Sequence, residues 1–170
     1  SIGIDMVVTA YFLSHGHFDH AADVGEIAGG GQPVHGSPTT LGSALRAGVP
    51  LAQLRPARSG QSFEFEGFSA QAFGSRHVRF DLRLILAAGR RLDWRALTAL
   101  NLALRYPVGQ VLSWRYSVGG TVIHHFGSAG ATVEELRRLA AQPTDVLLLP
   151  LQGHSRIIDI ALRHVEIMRP

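Results

Sequence analysis

The chain reads as a mixed α/β domain of stacked sheets and helices, and three observations carry that reading. Strand-like runs and capped helical stretches alternate along the 170 residues. Hydrophobic residues make up 46% and charged residues 17%, a globular balance rather than a disordered one. Eight Phe, three Tyr and two Trp supply the large side chains that a sheet–helix interior needs.

Taken in order, Val7 to Leu13 is β-branched and aromatic and stops at Ser14, which predicts a buried strand. Ala21 to Ala28 has helical spacing and ends at Gly29-Gly30-Gly31. Pro33 to His35 is a short strand. Ser37-Pro38-Thr39-Thr40 starts a helix, with Pro at the first helical position, that runs to about Ala47. Ser62 to Phe68 alternates, Phe63 and Phe65 against Glu64 and Glu66, as a half-buried strand does; Gly67 permits a turn before a strand over Ser69–Phe73. Leu92 to Leu104 is apolar at helical intervals. Val111–Ser117 and Thr121–Phe126 flank Val118-Gly119-Gly120 as a hairpin. Thr132-Val133-Glu134-Glu135 has the capping-box pattern, predicting a helix to about Gln142-Pro143. Asp145 to Leu149 is a buried strand, and Ile157 to Met168 a helix.

Composition excludes several chemistries. With no cysteine there are no disulfides, thiolate zinc sites or cysteine nucleophiles. All 16 basic residues are arginine, scattered against 13 acidic ones for a net charge of +3, which reads as a solvated surface and argues against a nucleic-acid partner. The apolar opening Ile2–Leu13 is broken by Asp5, is too short to span a bilayer and lacks a basic leader. The expectation is a cytoplasmic protein with no membrane partner, in a chain trimmed at its start.

Chemistry concentrates in Ser14-His15-Gly16-His17-Phe18-Asp19-His20. Residues two apart in an extended segment point to one side, so His15 and His17 can converge on one ion from a strand end. Asp19 and His20 follow in the next turn and face a neighbouring position. Neutral imidazoles with a carboxylate suit zinc, manganese or iron and suit calcium poorly. A metal there would acidify a bound water and polarise a carbonyl or phosphoryl oxygen.

This His-x-His-x-Asp-His arrangement resembles the metallo-β-lactamase fold superfamily of hydrolases. His77, in Gly74-Ser75-Arg76-His77 after the strand pair, falls where the family's next ligand does, and the later hairpin, helix and strand follow the family order. The resemblance implies a four-layer αββα sandwich formed by one metallo-hydrolase domain over residues 1–170, trimmed at both ends. It also implies a three-His site of His15, His17 and His77 and a second site with Asp19 and His20. With one or two zinc ions bound, a metal-bound hydroxide, lying between the two metals where both are present, would act as nucleophile on an ester, lactone, amide or phosphodiester, with Asp19 orienting the water. Tyr106-Pro107-Val108-Gly109 and Thr121–Gly130 look most like the branch of ascorbate-6-phosphate lactonase-like proteins.

Two departures from the family pattern stand out. Gly127-Ser128-Ala129-Gly130 places Ser128 where the family has a metal-bridging Asp, and the chain stops at Arg169-Pro170, before the family's last His. The remaining histidines are read as follows: His154 as a surface-loop residue that could approach the site, His124 and His125 as a strand pair with one facing inward, His35 at the pocket rim, and His164 on a helix surface. A small-molecule hydrolase is the leading expectation. A non-catalytic metal-binding or scaffold module of the same fold and an RNA-processing nuclease relative are the alternatives; oligomeric state stays open.

Overall fold

The computed structural model describes residues 8–79, 101, 102 and 104–170. Two sheets form its frame. In the first, β1 (Tyr11–Phe12), β2 (Val34–Gly36) and β3 (Leu54–Pro56) run parallel in sequence order. In the second, β4 (Ser62–Phe65), β5 (Phe68–Ser75), β6 (Val111–Val118) and β7 (Thr121–Phe126) form an antiparallel meander, and β8 (Val146–Leu148) adds parallel to β7. Helices among the described residues include α1 (Phe18–Ala21), α2 (Val24–Ile27), α3 (Pro38–Arg46), α4 (Val133–Leu139) and α5 (Ile157–Met168), with a 3-10 turn at Leu51–Gln53.

Side-chain alternation along β1 shows how the layers arise. Tyr11 and Leu13 face a core shared with Val24 of α2 and with Leu41 and Ala44 of α3. Phe12, between them, faces the opposite way, into the space between the sheets, where its ring lies 4.9 Å from Trp114 and 5.4 Å from Tyr116. Ala70, Ala72 and Leu112 complete that middle core. A third core joins Phe126 of β7 to Leu136 and Leu139 of α4 and Met168 of α5. Helix, sheet, sheet, helix: the four-layer expectation holds. Each fully buried aliphatic side chain in these layers contributes about 1.5–3 kcal/mol.

Local chemistry sets most boundaries where the sequence places them. Ser37 caps α3 with Pro38 in the first turn, and Thr132 and Glu135 close the capping box of α4. Gly119 and Gly120 both take positive φ, 54° and 84°, as a two-residue hairpin between β6 and β7 requires.

Several expectations need correction. Among the described residues the first strand covers only Tyr11–Phe12, and the single helix over Ala21–Ala28 is two short helices, the first starting inside the motif at Phe18. A third strand, β3, joins the first, parallel sheet, and neither it nor its 3-10 turn carries a pattern strong enough to announce it. α4 stops at Leu139, with Ala140 as its cap. β8 is a sheet edge and not buried, leaving Leu148 47% exposed. The predicted helix at Leu92–Leu104 lies almost wholly outside the described residues. Among those described, no helix is long and apolar enough to cross a membrane.

Candidate metal centre

The motif loop leaves β1 and is fastened to the second sheet. Ser14 O accepts the Leu112 N–H at 2.7 Å, and Leu13 O accepts the Trp114 Nε1–H at 3.2 Å. Gly16 donates to Val108 O at 3.1 Å, and a Cβ on Gly16 would collide with the Pro107 carbonyl oxygen. The glycine between the two histidines is therefore what lets the chain pass between α3 and the 106–110 loop. His17 then starts α1, which carries Asp19 and His20 on one helical turn.

The structure brings His15, His17 and His77 together: one ring nitrogen from each lies within 4.8 Å of the others. Their ring centroids are 4.6–5.0 Å apart, and the His20 ring lies 4.0 Å from that of His15. Asp19 Oδ2 is 3.6 Å from His20 Nε2. All five residues named by the sequence line one pocket of about 340 Å³.

The donor chemistry fits a metal. His15 is buried, its Nδ1 is bonded to Ser14 Oγ at 3.0 Å, and its Nε2 is buried with no protein partner among the described residues. An imidazole held so, with one nitrogen engaged and the other bare, is how proteins present a histidine to a metal. Burial, with the neighbouring histidines, holds the protonation of His15 far below the usual histidine range. Burial likewise lowers His17 and His20, against the raising influence of Asp19. All three are neutral near pH 7, with lone pairs available. His77 Nδ1 faces Val78 O at 2.7 Å; a carbonyl can only accept, so Nδ1 carries the hydrogen and Nε2 holds the ring's lone pair.

The rest of the pocket is mostly apolar: Phe18, Val78, Tyr106 and Pro150 line it, together with Gln152, Gly153 and Gly127-Ser128. No periodicity in the sequence marks these wall residues, because they come from loops and from the first residue of the one-turn helix α1. Ser128 occupies the pocket as the sequence places it, but its hydroxyl accepts the Val78 N–H at 2.9 Å.

The other histidines are elsewhere. His154 lines a neighbouring groove with Arg79 and Arg163, and its Nδ1 accepts the Arg156 N–H. His35 is not at the rim; it is buried between the sheets, stacked on Phe12 with centroids 5.1 Å apart. His164 is not on a surface either: it packs edge-on to Phe126, with Nδ1 donating to Ile160 O at 2.8 Å. Both corrections share a cause. Each histidine sits on the inward face of its element, where an aromatic neighbour accepts the flat ring. Of the strand pair, His124 is the fully buried one, bonded to Ser113 Oγ at 3.1 Å.

A two-sheet sandwich with a three-histidine cluster at the loop ends defines a metallo-hydrolase type of fold. Residues 3–168 match the profile of the β-lactamase superfamily domain, and the chain belongs to that family. Solved structures with the same fold include a metallo hydrolase, Igni18, from the archaeon Ignicoccus hospitalis (TM-score 0.65, 19% identity, 96% of this chain and 60% of that one). Others are Zn²⁺-bound PqqB from Methylobacterium extorquens (0.55, 18%, 94% and 53%) and YhfI, a metallo-β-lactamase fold protein from Bacillus subtilis (0.51, 14%, 82% and 48%). The chain thus spans about half to three fifths of these proteins. No curated protein matches it in sequence. None of these likenesses bears on the lactonase-like branch.

Proposed function

We propose that the chain is the metal-binding part of a small-molecule hydrolase that holds a divalent ion, zinc first among those its donors suit, on His15, His17 and His77. The observation that carries this is the convergence of three imidazole donors at the base of a pocket, with the buried Nε2 of His15 bare. A bound divalent metal supplies Lewis acidity, lowering the pKa of water to about 7 and polarising the scissile carbonyl. The chain's own residues do the rest. His20 and the Asp19 carboxylate flank the three donors, where Asp19 can take a proton from the attacking water. The water oxygen adds to the carbonyl carbon, the bond to the leaving oxygen or nitrogen breaks, and that proton goes to the leaving group. Phe18, Val78, Tyr106 and Pro150 exclude bulk water and grip an apolar substituent.

Among the described residues no arginine lines this pocket, and the chain has no lysine. An uncharged ester, lactone or amide therefore suits it better than a phosphodiester, whose charge the metal ion alone would have to answer. The test is to load the purified protein with zinc, count the metal, and assay an aryl ester, a lactone and an aryl phosphodiester. Activity lost on chelation and restored by zinc or manganese is the expected result. Protein that stays metal-free in excess zinc sinks the proposal. One metal bound with no turnover on any substrate would instead favour a non-catalytic metal-binding module, a reading that the neutral, hydrogen-bonded Ser128 supports.

A further inference from the structure

We propose that Ser128 is a positioning residue, whose hydroxyl clamps the Val78 peptide and thereby aims the His77 imidazole at His15 and His17; this rests on the metal-site reading above. The turn Gly127–Gly130 follows β7 and lies against both loops that carry the histidines. At one end, a Cβ on Gly127 would strike the Ser14 side chain, the same side chain that bonds His15 Nδ1. At the other, a Cβ on Gly130 would strike the Arg76 and His77 carbonyls. Ser128 stands between, buried, as the one polar side chain of the turn.

The chain of contacts runs in one direction. Ser128 Oγ accepts the Val78 N–H at 2.9 Å, which fixes the tilt of that residue's backbone. Val78 O accepts from His77 Nδ1 at 2.7 Å, which fixes the rotation of an imidazole that brings a ring nitrogen within 4.8 Å of ligand atoms on His15 and His17. Both main-chain polar atoms of Val78 are thus engaged, and both engagements bear on His77. A serine lone pair committed to a buried backbone N–H is poorly placed to ligate a cation, and a neutral hydroxyl is a weak ligand to begin with. Partners of metal-binding histidines commonly govern affinity by about 10–100-fold when removed. Ser128 acts one bond further out, through the peptide.

The experiment compares wild type, Ser128→Ala and Ser128→Thr by zinc competition against a chromophoric chelator and by the visible spectrum of the cobalt form. Amide hydrogen exchange is followed at Val78 in the metal-free proteins. Ser128→Ala should bind zinc about tenfold more weakly, shift the cobalt spectrum and release the Val78 amide to exchange. Ser128→Thr, which keeps the hydroxyl, should restore all three. Wild-type affinity and an unchanged cobalt spectrum in Ser128→Ala would overturn the proposal, as would a Thr variant no better than the Ala one. Should Ser128→Ala fail to fold, the wild type alone decides: an unprotected Val78 amide in folded, metal-free protein removes the clamp. Metal bound without hydrolysis defeats the catalytic reading and leaves this one standing. A wild type that takes up neither zinc nor cobalt defeats both.

Discussion

The molecule holds two kinds of inward-turned histidine, and the contrast separates a site from a core. His35, His124 and His164 are as inaccessible as His15, yet each is packed against phenylalanine. His35 alone lies between the sheets, while His124 of β7 and His164 of α5 flank Phe126. His15, His17 and His77 pack instead against one another and against open pocket, with donor atoms converging. Burial alone therefore says little about ligation. Convergence of lone pairs on shared empty space is the informative property.

The contrast can be broken by substitution. Replacing a converging histidine, as in His77→Ala, should lower metal affinity by more than the about 10–100-fold that outer partners command, and abolish metal-dependent hydrolysis; equilibrium dialysis with zinc checks it. A variant that keeps wild-type affinity would place His77 with the core group. The matching change in the core, His124→Leu, strands the Ser113 hydroxyl and should cost about 1–3 kcal/mol in urea unfolding, with metal affinity unchanged.

Acid sharpens the same contrast. Burial, aided by nearby arginine, pushes His35 and His124 down to about 4 from an ordinary 6.5. Their folded-state pKa lies below the unfolded one, so the stability they confer is complete above pH 6.5. It is lost progressively as pH falls from there toward 4, with a slope of about 1.4 kcal/mol per pH unit per group at most. The urea midpoint of metal-free protein should therefore drop between pH 7 and pH 5, and less steeply in His124→Leu. A midpoint flat over that interval would contradict the assignment. The smallest effect is a control remote from both groups: Thr132→Ala removes the cap of α4 and should cost about 1 kcal/mol, seen as a lower melting temperature with zinc affinity intact.

Much of this was legible in the sequence for identifiable reasons. The capped starts at Ser37 and Thr132, the Gly119-Gly120 turn and the Phe63/Phe65 alternation are local signals, and the structure follows them. His15, His17, Asp19 and His20 fall within one turn, so spacing alone groups them. His77 joins them only across the sandwich; family order, not periodicity, pointed to it. The layered core was foreseeable from alternation, whereas Leu54–Pro56 was not, because a three-residue strand holds less than two periods. The inward placement of His35 and His164 depended on which face of each element meets a neighbour, a tertiary fact. Likewise the link from Ser128 to Val78 spans 50 residues and leaves no trace in composition.

The two ends of the cluster belong to different sheets: His15 and His17 leave β1 of the parallel one, and His77 follows β5 of the antiparallel one. An ion gripping all three would act as a staple across the sandwich, joining chain segments about sixty residues apart. Occupancy and durability then become one quantity. Free metal at a hundred times its dissociation constant would add about 2.7 kcal/mol to the folded state, and a chelator would withdraw it. For such a protein, scarcity of metal would shorten the lifetime of the fold as well as silence the site.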